Sequence, residues 1–144
     1  MSLETTYDAD NIFAKIIRGE IPSVKLYEND KTLAFMDVFP QSEGHCLVIH
    51  KSATATNLFD INTDDLAALI AAVQKVASAV RDGLKPDGLR IIQFNGAPAG
   101  QTVYHLHFHI MPVYEGEALG RHGSGEPADP AALENIAAKI RAAL

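Results

Sequence analysis

Three histidines alternate with apolar residues near the C-terminal third of the chain, and this alternation constrains the fold more than any other feature. His105, His107 and His109 stand at every second position, and alternate residues of a β-strand face the same side. The pattern predicts a strand over 102–111, ended by Pro112. That strand would present the three imidazoles in one row, each about 7 Å from the next.

The residues between the histidines indicate what lies behind the row. Leu106, Phe108 and Ile110 are apolar, so the opposite face of this strand is expected to pack into a core. Packing alone does not explain the row itself, because three buried imidazoles need partners for all of their ring nitrogens. The alternation therefore predicts a functional site.

Two kinds of chemistry could use such a row. Imidazole is a common metal ligand, but the outer histidines would lie about 13–14 Å apart, so one ion would need two adjacent histidines and a distant ligand. Alternatively, one neutral imidazole could attack phosphorus or carbon as a nucleophile. The glycine-bearing loop 95–101 just before the strand favours the second interpretation, since Gln101 and Thr102 add donors for an oxyanion.

The remaining elements surround this strand and are joined by short turns. Apolar periodicity predicts a long helix over 64–82, capped by Asn62 or Thr63 and ended by Gly83. Also predicted are a helix over 12–18 capped by Asn11, strands over 24–27, 33–39, 45–50 and 89–94, and a final helix from Asp129 and Pro130 to Leu144. One long helix among short-turn strands predicts an α+β fold with a five-stranded antiparallel sheet. No composition break divides the chain, so 1–144 is expected to be a single domain.

Composition narrows the function classes. A net charge of −6 over 144 residues disfavours polynucleotide binding, which needs a basic surface. A single cysteine, Cys46, excludes an internal disulfide and any zinc site built on several cysteines. No apolar run is long enough to span a membrane, and the N-terminus lacks a signal-peptide pattern, so a cytoplasmic protein without membrane contact is expected.

The segment GQTVYHLHFHIM resembles the signature of the histidine-triad (HIT) superfamily, His-x-His-x-His followed by two apolar residues. Two further blocks, IFAKIIRGEIPSVKLYEND and LAFMDVFPQSEGHCLVIHK, match the family in the same order. The resemblance covers about residues 11–113, leaves 114–144 as a variable tail and helix, and is strongest to the small Hint-like bacterial branch. It implies a homodimer that acts at the α-phosphate of a nucleotide through a covalent nucleotidyl-histidine.

The resemblance also implies roles for the polar residues. His107 resembles the nucleophile, with the carbonyl of His105 accepting a hydrogen bond from its second ring nitrogen. The side chains of His105 and His109 would donate to the phosphate. Three more residues take part by the same resemblance: Gln101 near the phosphate, Thr102 near the leaving group, and His45 behind the triad.

The nucleotide would be held by a second set of residues. Asp37 matches the acid that binds the ribose hydroxyls, and an acid within an apolar strand needs such a partner on physical grounds as well. The rest of the set by resemblance is Asn95 near phosphate and ribose, Gly100 in the loop, and Phe13, Ile16, Phe35 and Val38 around the base.

The chain departs from the family at one place. Many bacterial members form a structural zinc site from two cysteines of the first helix, a downstream histidine and a triad histidine. Here the corresponding positions hold Asn11, Ala14 and Ala53, so we expect no metal and no cofactor. His50 and His122 are interpreted as bystanders.

The function predicted by the resemblance is hydrolysis of purine nucleotide conjugates of the nucleoside phosphoramidate type. Two alternatives stay open. One is a dinucleoside polyphosphate hydrolase with the same nucleophile. The other is a nucleotide-binding adaptor whose partner contacts matter more than slow catalysis. The apolar base pocket gives no preference between adenine and guanine.

Overall fold

The computed structural model of the chain describes residues 3–120 and 125–144, so His122 lies outside the described residues. The elements in chain order are α1 (Ile12–Ile17), β1 (Lys25–Glu28), β2 (Thr32–Met36), β3 (Cys46–His50), α2 (Thr63–Leu84), β4 (Gly88–Ile92), β5 (His107–Val113) and α3 (Pro130–Arg141). The strands form one sheet in the order β1-β2-β3-β5-β4, with every neighbouring pair antiparallel. The predicted α+β fold with a five-stranded sheet and one long helix is confirmed.

One face of the sheet carries the larger core. Helices α2 and α3 cover it, and the packed residues include Met36, Val48, Leu69, Val73, Val76, Val80, Leu106, Phe108, Ile110, Leu133 and Ile140. The three apolar residues that alternate with the histidines, Leu106, Phe108 and Ile110, thus point into this core, as the alternation predicted. Cys46 is buried in the same core, and burial raises the pKa of its thiol.

The other face of the sheet holds a smaller cluster beneath α1. Its buried residues are Phe13, Ile16, Leu33, Phe35, Leu47 and Ile49. Strand β3 pairs with β5 so that Ile49 lies opposite His107 and Leu47 opposite His109. This register places both histidines on the α1 face, away from the larger core.

The histidine strand is shorter at its start than predicted. It begins at His107 rather than at 102, so His105 lies in the irregular segment before it. The reason is that this segment bonds to a loop instead of the sheet, with the N–H of Leu106 donating to the carbonyl of Ala55 at 2.9 Å.

The strand also runs past Pro112 to Val113, contrary to the prediction. The pairing of β5 with β3 ends at Ile110, and the carbonyl of Pro112 on that side accepts from the hydroxyl of Ser42 at 2.6 Å. Proline costs no ladder bond there, because no strand N–H is needed on an unpaired side.

The predicted strand 33–39 ends at Met36. The carboxylate of Asp37 accepts the N–H of Phe39 at 2.8 Å, a turn that leads the chain away from the sheet before Pro40. Asp37 therefore sits just outside the strand, at the edge of the α1 face.

The helix caps follow the prediction, with Asn11, Asn62 and Asp129 each accepting a backbone N–H of the first turn. The predicted end of α2 at Gly83 is wrong, because the helix continues through Gly83 to Leu84 and is terminated by Lys85 at φ 52°. Gly83 has a packing role instead, because a Cβ there would meet the carbonyl oxygen of Lys139 on α3 at 2.5 Å. Within the described residues, no helix has the length and hydropathy to cross a membrane.

Candidate active site

The ring of His107 is held by the backbone two residues earlier. Its Nδ1 lies 2.6 Å from the carbonyl oxygen of His105, and a carbonyl can only accept, so Nδ1 carries the proton. In neutral His107 the lone pair is then on Nε2, the nitrogen that a nucleophile would use. The edge of this ring meets Phe13 of α1, with ring centroids 5.0 Å apart. The predicted orientation of the middle histidine is the one observed.

His105 occupies a sealed position rather than the pocket. Its Nε2 lies 3.3 Å from the carbonyl oxygen of His50, which can only accept, so Nδ1 must accept from the hydroxyl of Tyr7 at 3.0 Å. Burial lowers the pKa of His105 to about 4. The side chain is neutral and both nitrogens are engaged, so the predicted donation from this ring to phosphate does not fit the contacts. Its backbone carbonyl keeps the predicted role.

His109 leads into a buried polar network. Its Nδ1 lies 2.9 Å from Nε2 of His45, and Nδ1 of His45 accepts the backbone N–H of Gln41 at 3.0 Å. The proton of neutral His45 is thus on Nε2, and it is shared with His109 and with the carboxylate of Asp37 at 3.4 Å. This places the remaining proton of neutral His109 on Nε2, where it can serve as a donor to an anionic group. His45 lies behind the triad as predicted.

The same network has the composition of a metal site. Asp37, His45 and His109 offer ligand atoms that lie within 4.8 Å of one another. A metal on Nε2 of His45 would require either an anionic imidazolate or loss of the bond from Gln41, since Nδ1 already accepts that N–H. The hydrogen bonds therefore favour a proton at this position.

The structural zinc site that the sequence resemblance implies for many bacterial members of the HIT superfamily does not fit this chain either. Asn11 caps α1 by accepting the N–H of Ala14, and the N–H of Ala53 donates to the ring of His50. These positions supply no metal-binding side chains apart from one amide that is already used. The triad histidine of such a site would be His105 by the resemblance, and both of its ring nitrogens are in hydrogen bonds.

A cavity opens on the α1 face in front of His107 and His109. The residues lining it are Ile12, Phe13, Ile16, Pro22, Ser23, Phe35, Met36, Asp37, Val38, Phe39, Leu47, Thr102, Val103, His107 and His109. Apolar side chains form most of the wall, while Asp37, Thr102 and the two histidines supply its polar groups. The structure therefore brings eight of the predicted site residues together in one cavity.

Two of those eight residues, Phe13 and Val38, differ in how much of the side chain is exposed. Phe13 is buried and contacts Phe35 with ring centroids 5.4 Å apart. Val38 is 42% exposed and lies at the rim with Ile12, which is 47% exposed. Exposed apolar side chains at a cavity mouth are typical of a surface that a ligand covers.

The glycine-bearing loop lies beside the histidines but is held from behind. Gly96 and Gly100 have φ of 89° and 113°, a region that disfavours other residues. A Cβ on Gly100 would meet the ring of Phe94 at 3.1 Å, and that ring contacts His109 with centroids 5.5 Å apart. A side chain at position 100 would therefore strain the backbone and push the ring of Phe94 toward His109.

Gln101 and Asn95 support the loop instead of lining the cavity. The amide of Gln101 accepts from Gly96 N–H and donates to the carbonyls of Thr56 and Val103. The predicted donation from Gln101 to phosphate would require these bonds to break, so the contacts correct that role. Asn95 accepts the N–H of Leu58 and also pairs with Gln93.

Sequence reasoning missed two aromatic residues of the site. Tyr7 lies before the first predicted helix, where the sequence predicts no helix or strand, yet its hydroxyl donates to Nδ1 of His105. Phe94 was assigned only to a strand, although it packs on His109. Neither carries a local signal, since each contact is made across a long stretch of chain.

Comparisons with known proteins identify the family of the chain. The chain matches the model of the HIT domain family over residues 18–116. It is 43% identical to Protein hit of Bacillus subtilis over 133 residues, an alignment that covers 90% of each chain. It is 40% identical over 127 residues to the adenosine 5'-monophosphoramidase of Schizosaccharomyces pombe, covering 88% of this chain and 90% of that one.

A solved structure shows the same fold. It is that of a Hit-like protein involved in cell-cycle regulation from Bartonella henselae, with 51% identity, a TM-score of 0.88, and coverage of 96% of this chain and 99% of that chain. The chain belongs to the HIT family. Its membership and the named relatives make it a HIT-type hydrolase, as the histidine row and its neighbouring blocks indicated.

Proposed function

We propose that this protein hydrolyses purine nucleoside phosphoramidates and related nucleotide conjugates at the α-phosphate, with a covalent nucleotidyl group on His107. The observation that carries the proposal is the 2.6 Å hydrogen bond from Nδ1 of His107 to the carbonyl of His105, which leaves Nε2 as the basic nitrogen at the cavity. A related protein is named adenosine 5'-monophosphoramidase.

The reaction proceeds by two displacements at phosphorus. Nε2 of His107 forms a bond to the α-phosphorus while the bond to the leaving nitrogen breaks, and the amine departs with a proton taken from solvent, which the attacking water returns in the second step. Water then attacks the same phosphorus and the bond to Nε2 breaks, which releases the nucleoside monophosphate. The bond to the carbonyl of His105 holds the ring through both steps.

The charge that develops on phosphate oxygens needs donors, and the site has several. Nε2–H of His109 is one, placed by the hydrogen bond from His45 to its Nδ1. The backbone N–H groups of Thr102 and Val103 and the hydroxyl of Thr102 are others, since both residues line the cavity. The loop before Thr102 uses most of its own N–H groups in bonds within the loop. Such preorganised donors are worth about 10²–10³ in rate each.

The nucleoside would lie along the α1 wall. Phe13, Ile16 and Phe35 offer an apolar surface for a base, with Val38 at the rim. Asp37 stands beside them with its carboxylate directed by the N–H of Phe39, and it would accept from the ribose hydroxyls. Asn95 and Gly100 act through the loop that borders the phosphate.

A rate panel tests the proposal. Parent protein and His107→Asn would be assayed on adenosine and guanosine 5'-phosphoramidates and on diadenosine polyphosphates, with mass spectrometry of quenched parent to detect a nucleotidyl adduct. We expect fast turnover of phosphoramidates, none in the variant, and the adduct on His107. Absence of turnover by the parent on every conjugate would overturn the proposal.

The same panel separates the alternatives. Higher rates on diadenosine polyphosphates than on phosphoramidates would favour the dinucleoside polyphosphate hydrolase. A protein whose cellular role survives His107→Asn, with unchanged partner capture, would be a nucleotide-binding adaptor. We also propose that the protein is cytoplasmic, as the sequence predicts.

We also propose that the protein is a homodimer that uses α2 and the edge strand β4. Ile70 and Ile91 are each 46% exposed on adjoining surfaces, and Leu89 and Ala77 line the groove between them. An exposed apolar edge strand favours pairing with a second copy. Light scattering of parent and Ile91→Lys is expected to show a dimer and a monomer, and a monomeric parent would contradict this.

A further inference from the structure

The segment 3–10, here called the N-terminal strap, precedes the family match yet is anchored to the rest of the molecule. The carbonyl of Leu3 accepts from the side chain of Asn57 at 3.0 Å. The other end of the strap is fixed because Arg18 donates to the carbonyl of Ala9 at 2.7 Å. Arg18 also forms an ion pair with Asp10 at 3.3 Å. The strap is therefore held at both ends.

Between these anchors, the strap delivers one polar group to the buried triad. The hydroxyl of Tyr7 lies 3.0 Å from Nδ1 of His105, with ring centroids 5.6 Å apart. Since Nε2–H of His105 donates to the carbonyl of His50, Nδ1 must accept and Tyr7 must donate. The imidazole is thus gripped on both nitrogens, once from the strap and once from β3.

These two hydrogen bonds to the ring help to fix the backbone of His105, because this residue lies outside the sheet. It precedes β5, which begins at His107, so no strand ladder fixes its peptide group. What fixes it is the bond from Leu106 N–H to Ala55 and the two anchors on the ring. The carbonyl of this same residue accepts Nδ1–H of His107 and so sets the direction of the nucleophile.

We propose that Tyr7 is a positioning residue, which by holding the ring of His105 fixes the carbonyl that orients His107 for attack. The inference rests on the proposed function for its kinetic consequence. Its geometric part, the orientation of His107, can be measured without turnover. Tyr7 does not line the cavity, so substrate binding is expected to be independent of its hydroxyl.

The test compares Tyr7→Phe with Tyr27→Phe. Tyr27 is a matched control, because it lies on β1, remote from the triad in the sheet order, and its hydroxyl accepts from the side chain of Asn29 at 3.1 Å. Steady-state kinetics on adenosine 5'-phosphoramidate give kcat and KM, and imidazole ¹⁵N–¹H spectra report the Nδ1 proton of His107. Urea unfolding of each variant measures stability separately.

We expect Tyr7→Phe to lower kcat by about 2- to 10-fold, the range for one lost hydrogen bond, with KM unchanged. The Nδ1 proton of His107 should shift and exchange faster with solvent, because its acceptor is less well fixed. Tyr27→Phe should match the parent in all three measurements.

An unchanged His107 signal and unchanged kcat in Tyr7→Phe would overturn the inference, and so would a loss of stability alone. Turnover by the parent separates the two proposals. If the parent hydrolyses no conjugate, the proposed function fails, and the His107 signal then decides the positioning role by itself. A moved signal supports that role and an unmoved one overturns it.

Discussion

The two ends of the histidine row are alike in sequence and opposite in environment. His105 and His109 are both almost fully buried, at 2% and 1% exposure. His105 is clamped between Tyr7 and a backbone carbonyl and is kept neutral, whereas His109 faces the cavity and is backed by His45 and Asp37. The middle residue, His107, takes its orientation from the first end and lies in the cavity with the second.

This difference teaches that the row combines two tasks. At the His105 end, hydrogen bonds hold the frame of the site and shield an imidazole from protonation. At the His109 end, a chain of imidazoles and a carboxylate places a donor at the cavity, where we propose that the phosphate binds. Substitutions at the two ends and at the middle of the row test this division.

The largest effect is expected at His107, the middle histidine of the row. Replacing His107 by Asn removes the nucleophile, so kcat should fall by at least about 10³-fold, while nucleoside monophosphate binding persists. Stopped-flow kinetics and calorimetric titration with AMP measure the two quantities. Turnover of adenosine 5'-phosphoramidate at the parent rate would show that the attacking group lies elsewhere.

Matched substitutions at the two ends should separate rate from stability. In His109→Gln we expect kcat to fall by about 10²-fold through loss of a phosphate donor. In His105→Gln the fall in kcat should be smaller, and the free energy of unfolding should drop by about 1–3 kcal/mol because buried partners lose their bonds. Kinetics and urea unfolding of both variants check this, and equal losses of kcat would refute the division.

The pH dependence of the free energy of unfolding should come in part from His105. The pKa of His105 is lowered from 6.5 to about 4 in the folded chain, so between these values the unfolded chain binds a proton that the folded chain excludes. Stability is therefore fully present above about pH 6.5 and falls toward pH 4, by at most about 3 kcal/mol from this residue. Unfolding curves of the parent should show a steeper decline than those of His105→Gln, and parallel curves would contradict the assignment.

The smallest effect is expected at Asp37, the carboxylate near His45 and His109. Asp37→Ala removes the proposed ribose acceptor, so affinity for AMP should fall by about 10-fold, equivalent to one charged hydrogen bond. Affinity for 2',3'-dideoxy-AMP should change little, and Asp30→Ala on an exposed turn serves as the control. Equal AMP binding by Asp37→Ala and the parent would remove Asp37 from the site.

Much of this molecule could be predicted from local patterns. The alternation around His107 assigned the faces of β5, since side chains in a strand alternate whatever the rest of the chain does. The caps at Asn11, Asn62 and Asp129 followed from short-range chemistry of helix ends. Errors arose where a contact between elements overrode the local rule, as at Gly83, which is required by the approach of α3.

The amino-acid sequence by itself determined the fold class, the family and the identity of the three histidines, because these depend on periodicity and on motifs a few residues long. Only the tertiary structure decided what each histidine does. The partners of His105 lie 98 and 55 positions away, at Tyr7 and His50, and that of His109 lies 64 positions away at His45. Hydrogen bonds assign protons and roles to imidazoles, and contacts across such separations exist only once the sheet has formed.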